Sequence, residues 1–242
     1  MSAAMGGLMT ANNARARTGD PTDANPRPLD GVAWNEQLEA SFGAIRGEWD
    51  AFAGQGGRLP RIERVLGEHQ GNEGTWRAGL LVSRGTPVHP LASRFPQTVA
   101  ALGAVPGLLV ALWSVLDPGT DLPAHEGPNA GVLRYHFGVV SNPDAALMVA
   151  GTTVPYREGR GILFDDTATH AAWNRGDAAR VTIMCELLRP LSPPRSWANR
   201  GVQRLRSLDD RFRGAPARAA EWDRALNPWA GADAASRIER RS

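Results

Sequence analysis

The chain has 242 residues, 42% of them hydrophobic and 21% charged, enough for one domain with a proper core and too few for two full ones. Its 27 basic residues are all arginine and face 25 acidic ones for a formal net charge of +2, a balance that points to no strong polyanion partner and to no nucleic acid. The one cysteine, Cys185, excludes an intramolecular disulfide; it lies in the apolar run 181–185, where a buried structural thiol in a reducing, cytoplasmic setting is expected.

Residues 1–30 contain no continuous apolar stretch of the kind a secretory signal needs, and their Gly, Pro, Asn and Arg predict a disordered leader. Over 32–52, Trp34, Leu38, Phe42, Ile45, Trp49 and Phe52 recur at helical spacing, which predicts an amphipathic helix on the main body, ended by Gly54-Gln55-Gly56-Gly57. A strand is predicted over 76–82, a loop punctuated by Pro87, Pro90 and Pro96, and a short helix over 95–102. The apolar stretch 99–116 is interrupted by Gly103, Pro106 and Gly107, so it reads as helix, turn and strand rather than as a membrane span of about 20 residues.

After Gly107 the pattern changes to short apolar runs at 108–116, 132–140, 146–149, 161–164 and 180–188, parted by the turn residues Pro118-Gly119-Thr120, Ser141-Asn142-Pro143-Asp144 and Arg157-Glu158-Gly159. Short strands at this spacing without intervening helices predict an antiparallel barrel or jelly roll, placed over 31–192 together with the preceding helix. Ser192-Pro193-Pro194 then opens an extension, 193–242, in which Trp197, Val202, Leu205 and Leu208 recur at helical spacing. Its Arg200, Arg204, Arg206, Arg211 and Arg213 would suit a membrane surface or a partner. Asp209 and Asp210 dilute that basic face, which predicts packing back on the barrel instead.

Two polar clusters interrupt the strand pattern. His125 opens His125-Glu126-Gly127-Pro128-Asn129, and His170 closes Phe164-Asp165-Asp166-Thr167-Ala168-Thr169-His170. Neutral imidazole is a ligand for iron, zinc, copper and nickel, and two histidines at the ends of neighbouring barrel strands can meet at one ion. A third ligand is missing: the place two residues after the first histidine, where a facial triad carries its carboxylate, is Gly127. Glu126 would point to the other face of an extended strand, which leaves Asp165 and Asp166 as further spare carboxylates. His69 and His89 lie in no comparable cluster and read as ordinary hydrogen-bonded residues.

Arg134 and Arg180 sit inside apolar runs, where a buried guanidinium needs an anion. That anion is either an internal carboxylate or a small dicarboxylate gripped by arginine's fork. His136 shares a strand face with Arg134 and could reach the same anion. The helix over 32–52 and the loop over 67–74 are predicted to cover the pocket mouth. The alternative to an enzyme is a non-enzymatic cupin-like module whose pocket holds a metal or a carboxylate.

The run Ser114-Val115-Leu116-Asp117-Pro118-Gly119-Thr120, then His125, Gly127, Pro128, Asn129, Leu133, Arg134 and His136, then Phe164-Asp165-Asp166-Thr167, His170, Trp173 and Arg180, resembles the aspartyl/asparaginyl β-hydroxylase family. The similarity extends from about Trp76, through Phe95-Pro96-Gln97-Thr98, to Arg189-Pro190. The resemblance implies a mainly β protein, a double-stranded β-helix (cupin-like jelly roll) with flanking N- and C-terminal helices. It implies iron(II), 2-oxoglutarate as co-substrate and O2, with succinate and carbon dioxide released as an unactivated C–H bond is hydroxylated. His125 and His170 would be the metal ligands, in a family that dispenses with the carboxylate at Gly127. Arg180 would hold the distal carboxylate of 2-oxoglutarate with Ser114 beside it, and Arg134 and His136 would make the other co-substrate contacts.

One departure bears on substrate. Where vertebrate aspartyl hydroxylases carry a second arginine two positions before the residue matched by Arg134, this chain has Val132. An aspartyl side chain is therefore not the expected substrate. The resemblance to soluble bacterial members implies a small metabolite or amino-acid unit, free, carrier-tethered or in a peptide, within a biosynthetic pathway; related lipid A hydroxylases act on an acyl chain.

Overall fold

The computed structural model describes residues 3–18, 25–66, 73–206 and 210–227. Ten strands follow in chain order: β1 (Trp76–Ser83), β2 (Thr86–Pro87), β3 (Leu108–Leu116), β4 (Thr120–His125), β5 (Val132–Val140), β6 (Ala145–Val149), β7 (Thr152–Pro155), β8 (Gly161–Phe164), β9 (His170–Asn174) and β10 (Arg180–Leu188). They form two antiparallel sheets, β2-β1-β3-β10-β5-β8 and β4-β9-β6-β7. The expected jelly roll is the fold.

The period-2 alternation of the long strands decides what packs where. One face of the larger sheet presents Ala111, Trp113, Val115, Tyr135, Phe137, Val139, Val181, Ile183, Cys185 and Leu187, all buried in the main core. Helices α2 (Ala33–Ala40), α3 (Phe42–Gly54) and α5 (Pro96–Leu102) cover this face with Leu38, Ile45, Phe52 and Leu102. Trp113 is held between Trp49 and Phe95, at ring-centroid distances of 4.9 and 5.0 Å. Each such fully buried large side chain stabilises the fold by roughly 1.5–3 kcal/mol. The alternate positions, Leu112, Ser114, Arg134, His136, Arg180, Thr182, Met184 and Glu186, therefore face the other way, into the space between the sheets. This alternation places polar residues inside the barrel without breaching the main core.

Several local expectations are corrected. The single helix over 32–52 is two helices, broken at Ser41, whose hydroxyl bonds back to the Gln37 carbonyl at 3.0 Å; that local bond competes with continuing the helix. Residues 3–18, expected within a disordered leader, form α1 (Ala3–Thr18). Asn12 donates to Asn199 at 3.0 Å, and Asn13 bridges the Pro128 carbonyl and the Ala130 amide, so α1's polar residues have partners that composition does not reveal. Nor does the helical segment of 32–52 cover the pocket: it packs on the opposite face of the sheet. The pocket side is flanked instead by α4 (Ile62–Leu66), α6 (Arg195–Arg206) and α7 (Asp210–Leu226). Most of the expected covering loop, 67–72, lies outside the described residues, as does His69.

The C-terminal helices pack back on the barrel as expected. Asn199 donates to the Gly131 carbonyl at 2.8 Å, Gln203 exchanges hydrogen bonds with Asn129, and Arg206 reaches Glu186 at 3.4 Å. No helix among the described residues is long and apolar enough to cross a membrane.

Cys185 is fully buried in the main core, and that burial pushes its thiol up to about 12 against a small opposing pull from Arg134. Since the thiolate is the reactive form, Ellman's reagent is expected to find no titratable thiol in the native protein and one on addition of denaturant.

Candidate active site

Strands β4 and β9 pair antiparallel with His125 directly opposite His170, just past an irregularity between Leu122 and His125. The two imidazoles lie 4.2 Å apart between ring centroids. Pro123 is tolerated because β4 is an edge strand. Each ring is oriented by the same local device: Nδ1 of His125 is 2.8 Å from the Pro123 carbonyl, and Nδ1 of His170 is 2.9 Å from the Ala168 carbonyl. A carbonyl only accepts, so both Nδ1 atoms carry the hydrogen, and an imidazole protonated there has its Nε2 lone pair to offer in its neutral form. Fixing the tautomer through the remote nitrogen is how proteins prepare histidines for metal. Burial lowers the pKa of His170, opposed by the Ala168 bond and Asp166, and favours the neutral, ligating form.

Beside this pair stands Asp166. Its Oδ1 is 3.5 Å from His170 Nε2, while Arg134 donates from Nε to Oδ1 at 3.0 Å and from Nη2 to Oδ2 at 3.1 Å. Burial alone would push this carboxyl up, but the Arg134 fork overrides it and holds Asp166 down at about 2, so it is an anion at neutral pH. Gly127 explains its position. The Gly127 amide donates to the Asp166 carbonyl at 2.7 Å, and a Cβ built at Gly127 would fall onto the Asp166 carboxylate. The volume vacated by the absent side chain is thus filled by a carboxylate from another strand connection.

Arg134, expected as a co-substrate contact, is engaged internally: besides Asp166 it meets Glu186 at 3.4 Å through Nη1. Of the two anions the sequence left open, the structure gives it the internal one. Arg180 differs. It is 1% exposed, donates from Nη1 to Thr182 Oγ1 at 2.7 Å, and lies over the Tyr156 ring at 4.7 Å. No carboxylate among the described residues pairs with it, its Nε has no partner, and burial lowers its pKa. A buried guanidinium without an acid is costly unless an anion joins it.

The other expected site residues line the same cavity. Ser114 is buried and its hydroxyl accepts from Trp76 Nε1 at 3.0 Å. His136 has its Nδ1 2.9 Å from the Tyr156 hydroxyl, and burial, with Arg180 and Arg134 nearby, pushes its pKa well below the usual histidine range. Tyr156 escaped sequence reasoning: it joins His136 to Arg180, yet follows Pro155 in a turn and shows no pattern. Glu186 carried a weak signal, as an acid in an otherwise apolar strand on the same face as Arg180. Glu126 accepts from Thr169 at 2.9 Å, and His89 is paired with Ser93 at 2.6 Å, away from the site.

The cavity has a volume of about 910 Å³. Its polar end holds Ser114, His125, Arg134, His136, His170 and Arg180; from there it continues along the larger sheet past Leu80, Leu108, Val110, Leu112, Met184 and Leu188 to Arg200 and Arg204 on α6. Among the described residues no three His, Cys, Asp or Glu side chains converge as a metal-ligand group. Two prepared imidazoles beside a fixed carboxylate nevertheless fit a divalent ion that keeps positions open for co-substrates. The buried, acid-free Arg180 fits a small dicarboxylate.

By fold and site this is a cupin-like barrel built around a histidine pair. The sequence profile of the aspartyl/asparaginyl beta-hydroxylase family matches residues 39–190. The chain is 30% identical over 177 residues to the ornithine lipid ester-linked acyl 2-hydroxylase of Rhizobium tropici, covering 71% of this chain and 63% of that protein. It is 34% identical over 126 residues to aspartate beta-hydroxylase domain-containing protein 2 of Homo sapiens, covering 48% and 34%. It thus spans less than two thirds of the length of these relatives. A cupin 2 conserved barrel domain protein from Salinispora arenicola aligns with a TM-score of 0.33 at 13% identity, over 53% of this chain and 86% of that one. The chain belongs to the aspartyl/asparaginyl β-hydroxylase family, a family of hydroxylases.

Proposed function

We propose that the chain is an iron(II)- and 2-oxoglutarate-dependent dioxygenase that hydroxylates an unactivated C–H bond. The observation that carries this reading is one cavity end with two imidazoles, each oriented through Nδ1 by a backbone carbonyl, and a buried arginine that no acid among the described residues neutralises. Iron(II) held by His125 and His170 would supply the centre at which O2 is reduced at the expense of 2-oxoglutarate, which leaves as succinate and carbon dioxide. Arg180 and Ser114 hold the distal carboxylate of the co-substrate. Arg134 serves by fixing Asp166 beside the metal ligands. His136, kept neutral by burial and the two arginines, presents a hydrogen-bonding ring rather than a third cation. The apolar walls exclude water from the reacting end. We assign this chemistry to residues 31–192, in the cytoplasm, with α6 and α7 of the C-terminal extension flanking the cavity.

The apolar limb of the cavity favours an acyl-bearing substrate over a compact amino-acid unit. The name of the Rhizobium tropici relative places its hydroxylation on an acyl chain, and Val132, at 1% exposure, offers no cation for an acidic side chain. Such a product fits a bacterial biosynthetic pathway.

Purified protein with Fe(II), 2-oxoglutarate, O2 and a panel of acyl and amino-acid substrates is expected to release succinate in step with a hydroxylated product. His125→Ala and His170→Ala should each reduce that release by roughly a thousandfold or more, as does loss of a group on which the chemistry depends. Anaerobic addition of Fe(II) and 2-oxoglutarate should give a visible charge-transfer band that the variants lose. No band and no succinate would support a non-catalytic metal- or carboxylate-binding module instead.

A further inference from the structure

Among the described residues the outward face of α6 combines exposed arginines with exposed large apolar side chains. Residues 197, 200, 201, 204 and 205 follow the i, i+3, i+4, i+7, i+8 spacing of one helical stripe, and all five are exposed. The stripe reads Trp197, Arg200, Gly201, Arg204, Leu205. Asn199, Val202 and Gln203 on the opposite side are buried against the barrel, so the stripe faces solvent by construction rather than by fraying. Among the described residues the exposed large hydrophobics are Trp197 at 69%, Leu205 at 45% and Leu8 at 41%. Two of these lie on the stripe and the third on α1, which the Asn12–Asn199 hydrogen bond ties to α6.

Charge follows the same line. Helix α6 contains Arg195, Arg200, Arg204 and Arg206 and no acidic residue, whereas the whole chain has 25 acids to 27 bases. Arg206 turns inward to Glu186; Arg195, Arg200 and Arg204 are exposed. The large cavity is lined at its outer end by Arg200, Arg204 and Leu205 of this helix and at its inner end by the histidine pair.

We infer that the outward face of α6 docks the protein on the surface of an anionic lipid bilayer, with the cavity mouth turned toward the membrane. An indole and a leucine flanking two arginines match the interface, where the aromatic ring sits at headgroup depth and the guanidinium groups meet phosphate. Interfacial helices of this kind bury their apolar side chains about 5–10 Å into the headgroup region. A nucleic acid would use the arginines and leave Trp197 and Leu205 without a role. A bilayer uses both, and it also supplies chains that fit the apolar cavity opening at the same helix. The docking rests on the α6 surface and not on the proposed oxidation chemistry, so each can fail without the other.

Flotation of the full chain, without metal or co-substrate, is the test. Vesicles of phosphatidylcholine with phosphatidylglycerol should carry the protein, and pure phosphatidylcholine should carry far less. The Arg200→Glu/Arg204→Glu double variant should lose roughly tenfold or more in vesicle partitioning, and Trp197→Ala several-fold, with circular dichroism melts unchanged in both. Brominated acyl chains should quench tryptophan emission in the parent and distinctly less in Trp197→Ala. Equal flotation with neutral and anionic vesicles would overturn the proposal. So would a charge-reversed variant that floats like the parent, or a Trp197→Ala protein with unaltered partitioning and quenching, which would reduce the binding to non-specific adsorption of a basic chain.

Discussion

Arg180→Met is expected to raise the concentration of 2-oxoglutarate needed for half-maximal turnover by at least about thirtyfold, because truncating one partner of a buried, hydrogen-bonded charge pair costs roughly 2–5 kcal/mol. The same substitution should leave the stability of the ligand-free protein unchanged or slightly higher. In the free protein the guanidinium is buried with a hydroxyl and an aromatic face but no acid, and an isosteric apolar side chain relieves that desolvation. Arg134→Met should do the reverse. It strands Asp166 as a buried anion, leaves Glu186 with Arg206 alone and should destabilise the ligand-free fold by roughly 3–5 kcal/mol. Thermal melts with and without co-substrate separate the two. At about a hundred times its Kd, 2-oxoglutarate should stabilise the parent by about 2.7 kcal/mol and give Arg180→Met almost nothing. If Arg180→Met kept the full ligand-induced shift, the dicarboxylate site would have to lie elsewhere.

The contrast between these two arginines marks where sequence reasoning runs out. Both lie in apolar strands, both were legible as buried cations in want of an anion, and nothing local separates them. The partners of Arg134 are 32 and 52 positions away in sequence, and the pairing that brings β8 and β10 alongside β5 is what delivers them. The long strands could be read because Val, Leu, Ile and aromatic residues dominate them and most of their positions are buried. Strands β4 and β9 could not. The first carries Asp121 and Pro123 and the second has two alanines in its five residues, so the elements that hold the histidines look like turn sequence and gain strand geometry only from pairing. The amphipathic pattern over 32–52 correctly predicted a helical segment on the body, but a hydrophobic stripe does not say which face of a sheet it covers. The cavity is flanked instead by α4 and by the C-terminal helices, and on α6 the inward residues Asn199 and Gln203 are polar with only Val202 apolar, while Trp197 and Leu205 of the same pattern face outward.

The carboxylate beside the histidine pair provides the most demanding check. Sequence left Glu126, Asp165 and Asp166 open, and the turn between β8 and β9 decides among them. Asp165 accepts from the amide and hydroxyl of Thr167, while Asp166 turns inward to Arg134 and into the volume over Gly127. Gly127→Ala is therefore expected to destabilise the protein by roughly 1–3 kcal/mol, the usual cost of overpacking, by driving Asp166 off the Arg134 fork, and to weaken Fe(II) binding measured anaerobically. Asp166→Ala should also destabilise, by leaving Arg134 with Glu186 alone. In the double variant the new methyl group enters space that the carboxylate no longer fills, so the two losses should fall short of their sum by about 1 kcal/mol or more in a double-mutant cycle. Gly127→Asp combined with Asp166→Gly extends the argument, since it restores a carboxylate to the same volume from the opposite strand connection. That protein should bind Fe(II) more tightly than Asp166→Gly alone. Strict additivity in the cycle, together with no recovery of metal affinity in the exchanged pair, would show that Asp166 and the missing side chain at 127 do not share one place.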